Sequence, residues 1–179
     1  MRLFLAAPLP PGIRTQLTAW QDLLAQSVDN AKWVKGENLH LTLKFLGEVN
    51  PAKIQVLTTA TAAALGEFSQ FTFNISGIGV FPYLQRARIL WAGVKDDKRC
   101  LQRLQRDLEQ CLVKLGFPCE TKPFTPHLTL GRLRRPTPVS LPIVPEIQEA
   151  VKVDSVVLYE SILTPSGPQY RPLSTFNLL

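Results

Sequence analysis

Residues 33–49 read WVKGENLHLTLKFLGEV, and the tetrapeptide His-Leu-Thr-Leu inside this stretch, at His40–Leu43, occurs a second time at His127–Leu130. Both copies fall in segments predicted to be β-strands, where successive side chains point to opposite faces. The imidazole and the threonine hydroxyl of each copy therefore share one face, while the two leucines point into the core. The flanking sequence repeats little, so the repeat predicts two structurally similar halves and not a tandem array.

The rest of the chain alternates between strand-like and helix-like segments. Three helices are predicted, opening at Pro11, at Asn50–Pro51 and at Asp96 or Asp97, because proline suits a first helical turn and Asn or Asp caps it. Apolar periodicity predicts strands at 2–7, 39–46, 71–75, 88–94, 127–133, 151–163 and 170–177, with a proline-rich surface loop before the last two. This order predicts an α+β fold, with helices packed on antiparallel sheets, in one domain over residues 1–179.

Charge and composition narrow the classes of partner. A net charge of +6 and a pI near 9.5 favour anionic partners such as RNA or nucleotides, although a basic protein with no such partner fits the charge equally well. Three cysteines without a Cys-x-x-Cys pair argue against a disulfide framework and a zinc knuckle. The apolar run at the start is short and interrupted by prolines, which predicts a first strand and a cytoplasmic protein with no membrane partner.

The two tetrapeptides contain both histidines of the chain. Cleavage of a phosphodiester needs one group that takes a proton from water and one that gives a proton to the leaving oxygen, and imidazoles do both near neutral pH. Each positioned acid or base contributes about 10²–10⁴-fold in rate. The hydroxyls of Thr42 and Thr129 are suited to donate hydrogen bonds to the phosphate oxygens. The alternative is that both are ordinary half-buried strand histidines. With no Asp/Glu cluster nearby, neither a metal nor another cofactor is expected.

The paired His-x-Thr-x motifs resemble those of the 2H phosphoesterase superfamily. The blocks around them resemble its RNA 2′,3′-cyclic phosphodiesterases, also called 2′-5′ RNA ligases, over nearly the whole chain: MRLFLAAPLP at 1–10, the opening stretch at 33–49, RILWAGV at 88–94, KPFTPHLTLGR at 122–132 and VVLYESIL at 156–163. The resemblance implies a pseudo-symmetric, bilobal fold, with antiparallel sheets lining a central cleft and helices outside. It also implies metal-independent hydrolysis of RNA 2′,3′-cyclic phosphate ends to 2′-phosphates. His40 would be the proton donor, His127 the proton acceptor, and Thr42 and Thr129 the phosphate-binding residues.

Two basic residues next to the motifs are weaker candidates. Strict strand alternation puts Lys44 on the face of Thr42, where it would touch phosphate or stand as a solvated lysine at the rim. Arg132 matches an arginine of the family, but alternation turns it away from the cleft, so its role requires a bulge or the end of the strand. Phe45 is predicted to lie in the core.

Aromatic and arginine side chains further away are candidate RNA contacts. Phe124 and Tyr170 are candidates for stacking on a terminal base, although core packing is the commoner fate for Phe124. Arg86 and Arg88 are candidates for the RNA backbone, where contacts set register without reading sequence.

Other functions remain open at this point. Small cyclic nucleotides and tRNA fragments present the same reacting group, and the reverse reaction would join RNA ends through a 2′-5′ linkage. A module that binds RNA ends without turnover is a further alternative. A serine hydrolase or an ATP-dependent ligase is not indicated, because there is no Gly-x-Ser-x-Gly elbow and no Walker loop. A monomer is expected.

Overall fold

The computed structural model describes residues 1–179 and consists of nine strands and three α-helices. The helices are α1 Pro11–Ala25, α2 Ile54–Leu65 and α3 Cys100–Lys114. The strands are β1 Arg2–Pro8, β2 Ala31–Trp33, β3 His40–Glu48, β4 Phe71–Phe81, β5 Ala87–Lys95, β6 His127–Thr137, β7 Val151–Val153, β8 Ser155–Thr164 and β9 Gly167–Asn177. The predicted α+β class and its antiparallel sheet are confirmed.

Two four-stranded halves meet at the two motif strands. The strand order is β7-β4-β5-β6-β3-β1-β8-β9, every ladder is antiparallel, and the short β2 adds to β6. The halves are joined by a single pair, Leu41 with Leu128, which lies in the middle of both tetrapeptides. The repeated sequence therefore lies at the junction between the halves.

The sheet curls because of how β7 and β8 are placed. Residues 151–163 were predicted as one long strand or a strand pair, and the structure divides them at Asp154. β7 pairs with β4 at one edge of the sheet, whereas β8 pairs with β1 and β9 near the other edge. Since one residue separates them, the two edges of the sheet must approach each other.

The helices cover the sheet face that carries the motif leucines. Leu41, Leu43, Leu128 and Leu130 are at most 3% exposed and belong to a cluster of 31 buried residues that also holds the apolar stripes of the helices. Burial of each leucine contributes about 1.5–3 kcal/mol, so the core fixes which face the histidines take. No helix is long and apolar enough to cross a membrane.

Asn50 and Asp96 cap the starts of their helices as predicted, although Asp96 lies further from its helix than a standard cap. Asn50 caps a 3-10 turn, Pro51–Lys53, by accepting a hydrogen bond from the Ala52 amide at 3.0 Å, and α2 continues from that turn. Asp96 accepts from the Leu101 amide at 2.6 Å although α3 begins after Arg99. The acidic residue thus satisfies a free amide of the first turn from further away than a standard cap.

Candidate active site

Four predicted site residues come together where the halves join. Because Leu41 pairs with Leu128 in an antiparallel ladder, Thr129 lies across from His40, and His127 lies across from Thr42. All four side chains point away from the leucine core, and the two histidines take diagonal positions. Diagonal neighbours in a regular ladder are about 7–8 Å apart, which leaves room for a phosphate between the two imidazoles.

Both histidines are held in the same way. His40 Nδ1 is 2.7 Å from the carbonyl oxygen of Asn38, and His127 Nδ1 is 2.7 Å from that of Thr125. A carbonyl only accepts, so each Nδ1 carries a hydrogen and each neutral ring has its free lone pair on Nε2. His40 Nε2 lies 2.9 Å from Thr42 Oγ1, so the hydroxyl donates to it. Each Nε2 is therefore the atom available for proton exchange.

Aromatic rings enclose His40 more than His127. The His40 ring lies 5.0 Å from Phe4 and 5.3 Å, edge-on, from Tyr170. This burial lowers the pKa of His40 from 6.5 to about 4; the hydrogen bond to Asn38 opposes the shift and the charge of Arg132 adds to it. His40 is consequently neutral at pH 7 when the cleft is empty. His127 meets one ring edge-on, that of Phe81, at 5.1 Å.

A β-bulge in β3 overturns two predictions. Thr42 and Lys44 pair with consecutive residues of β1, so Leu43 is an extra residue in the ladder and the alternation of faces inverts after it. Lys44, predicted on the cleft face, is instead 3% exposed on the helix side. Phe45, predicted in the core, is 56% exposed and lines the cleft.

Lys44 therefore makes structural contacts and does not face the site. Its Nζ donates to Glu109 Oε1 of α3 and to the Pro118 carbonyl, both at 2.9 Å, and lies 3.5 Å from Glu120 Oε1. Burial would raise the pKa of Glu109, but hydrogen bonds from Lys44 and from the Glu120 amide outweigh it and hold that pKa below its usual value. The cluster ties β3 to α3 and to the loop that precedes His127.

A matching bulge in β6 turns Arg132 toward the cleft, which strict strand alternation would not do. Thr129 and Gly131 pair with consecutive residues of β5, so Leu130 is extra, and Arg132 lines the cleft. Phe45 and Arg132 therefore hold equivalent places, five residues after the two histidines. Gly131 is needed here because a Cβ would stand 2.9 Å from the Trp33 ring.

The cleft has a volume of about 450 Å³ and mixes cationic with aromatic walls. Its lining contains the predicted residues His40, Thr42, Thr129, Arg132 and Tyr170. His127 is not part of this lining, but it lies across the ladder from Thr42, which is. Four lining residues were not singled out for the site from the sequence, namely Arg2, Phe4, Asn38 and Phe45. No carboxylate lines the cleft. The site is therefore suited to an anion attached to an aromatic or sugar group.

Besides His127 and Lys44, three candidates lie outside this lining. Phe124 is half-buried and packs against the main core, the alternative given for it above. Arg86 and Arg88 are exposed near the start of β5. Arg88 precedes Ile89, which pairs with Arg132 of the lining, and both arginines stay candidates for the backbone of a longer RNA.

Two positioning residues could not be identified from the sequence. Asn38 Nδ2 donates to the Pro168 carbonyl at 2.9 Å, which fixes the backbone that holds His40. Gln21 of α1 is 5% exposed, and its Nε2 donates to the Val34 and Leu130 carbonyls at 2.7 and 2.8 Å. The one available signal was a polar residue beside the apolar stripe of α1.

A separate cavity of about 520 Å³ lies between the start of α3 and β4. It contains neither histidine, and its charges are of both signs, including Lys95, Asp96, Asp97 and Lys98. Nothing in this lining groups an acid, a base and a phosphate-binding residue, so the smaller cleft is the candidate site.

Comparisons with known proteins agree on one family. The sequence model of the LigT-like phosphoesterases matches residues 7–91 and 93–170. The RNA 2′,3′-cyclic phosphodiesterase of Methanothermobacter thermautotrophicus is 35% identical, over 99% of both chains. A solved structure from Thermus thermophilus is 30% identical with a TM-score of 0.87, covering 99% of this chain and 98% of that one. The Escherichia coli LigT structure complexed with 3′-AMP is 30% identical with a TM-score of 0.83, covering 99% and 97%.

Proposed function

We infer, since this chain belongs to the LigT-like phosphoesterase family, that it hydrolyses the 2′,3′-cyclic phosphate at the end of an RNA to a 2′-phosphomonoester. The observation that carries this inference is the pair of imidazoles on diagonal positions of two facing strands, each with Nδ1 hydrogen-bonded to a carbonyl and Nε2 available. Relatives named RNA 2′,3′-cyclic phosphodiesterase match the chain over nearly its full length.

The proposed reaction uses one proton transfer at each histidine. A water attacks phosphorus, and His127 Nε2 accepts its proton. The bond from phosphorus to the ribose 3′ oxygen breaks, and His40 Nε2–H gives a proton to that oxygen. The phosphate stays on the 2′ oxygen. Thr42 and Thr129 donate hydrogen bonds to the non-bridging oxygens, where charge builds up.

The substrate itself supplies the condition for His40 to act as the donor. His40 is neutral in the empty cleft because its pKa is about 4. A phosphate monoanion at 4 Å, with an effective dielectric constant of 20, stabilises the imidazolium by about 4 kcal/mol. That is about 3 pKa units, which returns His40 to the range where it is protonated near neutral pH. The Thr42 hydroxyl, released from Nε2, is then free to donate to the phosphate.

We propose that the reaction needs no metal and no other cofactor. The cleft lining offers a metal one imidazole, that of His40, and several hydroxyls, without a carboxylate or thiolate. A catalytic zinc site uses three protein ligands of the His, Cys or carboxylate type. The charge that a metal would neutralise falls instead to Arg2 and Arg132, which share the lining.

The proposed partner is RNA, bound through its last nucleotide. Phe45 and Tyr170 offer aromatic surface for a base, and such stacking accepts any base, so little sequence preference is expected. Residues 1–179 would act as one domain, because the leucines of both motif strands belong to one hydrophobic core. The proposed state is a monomer. Small cyclic nucleotides carry the same reacting group and are the second candidate substrate. By microscopic reversibility the same groups would also join RNA ends through a 2′-5′ linkage, although water favours hydrolysis.

The decisive experiment gives the purified protein an RNA with a 2′,3′-cyclic phosphate end, in EDTA, and types the product with a 3′-specific phosphatase. We expect a phosphatase-resistant 2′-phosphate. His40→Asn and His127→Asn should each abolish turnover, with the Lys98→Gln variant as a surface control. A 3′-phosphate product would mean that the 2′ oxygen is the leaving group, which would contradict the roles assigned to the two histidines. Binding without turnover would contradict the enzymatic function.

A further inference from the structure

One groove leaves the cleft beside Arg132 and runs between two loops of the fold. It has a volume of about 200 Å³ and shares Arg132 and Tyr170 with the cleft. One wall carries Lys32 and Lys35, and the other is the turn between β8 and β9 around Gly167. The groove, defined here as the Lys32–Lys35 groove, is therefore continuous with the site of reaction.

The cations of this groove have no protein partner. Lys32, Lys35 and Arg132 are all exposed, and none of them forms a salt bridge or a side-chain hydrogen bond. A Cβ built on Gly167 would stand 3.9 Å from Lys32 Nζ, so this ammonium reaches across to the opposite wall. No carboxylate lines the groove. Three unpaired positive charges around one narrow channel create a local field that favours an anion.

A second opening from the cleft carries charges of both signs. It has a volume of about 330 Å³ and shares His40 and Tyr170 with the cleft. Its lining contains one cation, Arg14, and one carboxylate, Glu37. A phosphate placed there would face the negative charge of Glu37. The Lys32–Lys35 groove, which has no carboxylate, therefore suits an RNA backbone better.

The chemistry of an RNA end requires such an opening. The terminal nucleotide carries its cyclic phosphate on the 2′ and 3′ oxygens, so the rest of the strand must leave through its 5′ oxygen, which bears the next phosphate. From the charges of the two openings we propose that the Lys32–Lys35 groove binds the phosphate on the 5′ side of the terminal nucleotide, so that a single-stranded oligonucleotide is preferred over a cyclic mononucleotide. This proposal rests on the proposed function.

Binding of this kind positions the strand without reading its sequence. Lysines give salt-dependent contacts to phosphate, and the groove presents no side chain that would discriminate between base edges. The groove would therefore favour polymers over free cyclic nucleotides while leaving base preference unchanged. It would also separate the two candidate substrates that the cleft alone leaves open.

The test compares adenosine 2′,3′-cyclic phosphate with the trinucleotide ApApA ending in a 2′,3′-cyclic phosphate. The Lys32→Gln/Lys35→Gln variant is compared with wild type and with the control Lys98→Gln/Lys152→Gln, which removes two exposed positive charges outside the cleft and the groove. We expect the ratio of kcat/KM for the trinucleotide to kcat/KM for the mononucleotide to fall roughly tenfold in the groove variant and to stay unchanged in the control. The slope of log kcat/KM against log salt for the trinucleotide should become shallower by about 1.

Each outcome bears on one of the two proposals. An unchanged ratio in the groove variant, or an equal fall in the control, would overturn the groove while hydrolysis of both substrates left the proposed function standing. If wild type hydrolysed neither substrate, the proposed function would fail. Fluorescence anisotropy with a labelled, non-cyclic ApApA would then test the groove by itself. A Kd about tenfold weaker in the groove variant than in the control would support it, and equal Kd values would overturn it.

Discussion

The ionisation of His40 offers the most direct quantitative check on the site. The pKa of this imidazole falls from 6.5 to about 4 because the folded chain surrounds it with Phe4 and Tyr170. At 1.36 kcal/mol per pKa unit, this difference means that protonating His40 lowers the free energy of unfolding by about 3 kcal/mol. The folded protein binds the proton less readily than the unfolded chain does. The stability associated with neutral His40 is therefore fully present above pH 6.5 and is lost as the pH falls through about 4.

Two measurements follow the same proton. Because the chain has two histidines, His127→Asn leaves one imidazole, and its NMR titration should have a midpoint near 4. Saturation with adenosine 2′-monophosphate should raise this midpoint by about 2–3 units, since the anion stabilises the imidazolium. In urea unfolding, wild type should lose about 3 kcal/mol more than His40→Asn between pH 7.5 and pH 4, with the carboxylates common to both proteins cancelling.

A midpoint near 6.5 in the empty protein, together with equal losses of stability in the two proteins, would refute a lowered pKa for His40. A midpoint near 4 that did not move with the nucleotide would leave the burial argument intact but would refute His40 as the proton donor.

Three further predictions concern the bulges and the walls of the cleft. Lys44→Met should lower the free energy of unfolding in urea by up to about 3 kcal/mol, because it leaves Glu109 without its cation. Adding Glu109→Leu should recover part of this loss. A Lys44→Met variant as stable as wild type would contradict the role of the cluster. Gly131→Ala should lower the free energy of unfolding by about 1–3 kcal/mol, because the new Cβ meets the Trp33 ring. Gly116→Ala is the control for backbone strain alone, since Gly116 has a positive φ and open space around it. Equal losses of stability in the two variants would contradict the ring contact as the cause. Phe45→Ala should raise KM for the trinucleotide by about fivefold to a hundredfold, because the ring lines the cleft and can stack on a base. Phe45→Tyr, which keeps the ring, should leave KM unchanged, and kcat is measured in parallel. An unchanged KM in Phe45→Ala would show that this ring does not bind the base.

Much of the architecture could be predicted from sequence patterns alone. The helices α1 and α3 and the motif strands β3 and β6 lie within a few residues of their predicted positions, because apolar spacing is set by the local geometry of each element. The paired tetrapeptides also predicted the face shared by each imidazole and its neighbouring hydroxyl. That inference needed only the alternation of a strand over three residues, before either bulge.

Beyond the fourth residue of each tetrapeptide, the partner strands decided the outcome. Leu43 and Leu130 become extra residues only because β1 and β5 pair on either side of them, and this inversion buries Lys44 while bringing Phe45 and Arg132 to the cleft. A bulge depends on two strands distant in sequence, so no local pattern on one of them indicates it.

The chemistry of the site divides in the same way. The sequence by itself determined that two imidazoles and two hydroxyls occur in matched strand positions. The tertiary structure alone decided that the imidazoles take diagonal positions on two facing strands. It also decided that His40 is the more enclosed, since Phe4 comes from β1 and Tyr170 from β9. A pKa depends on the solvent and charge around a group, and those neighbours are assembled only when the sheet curls.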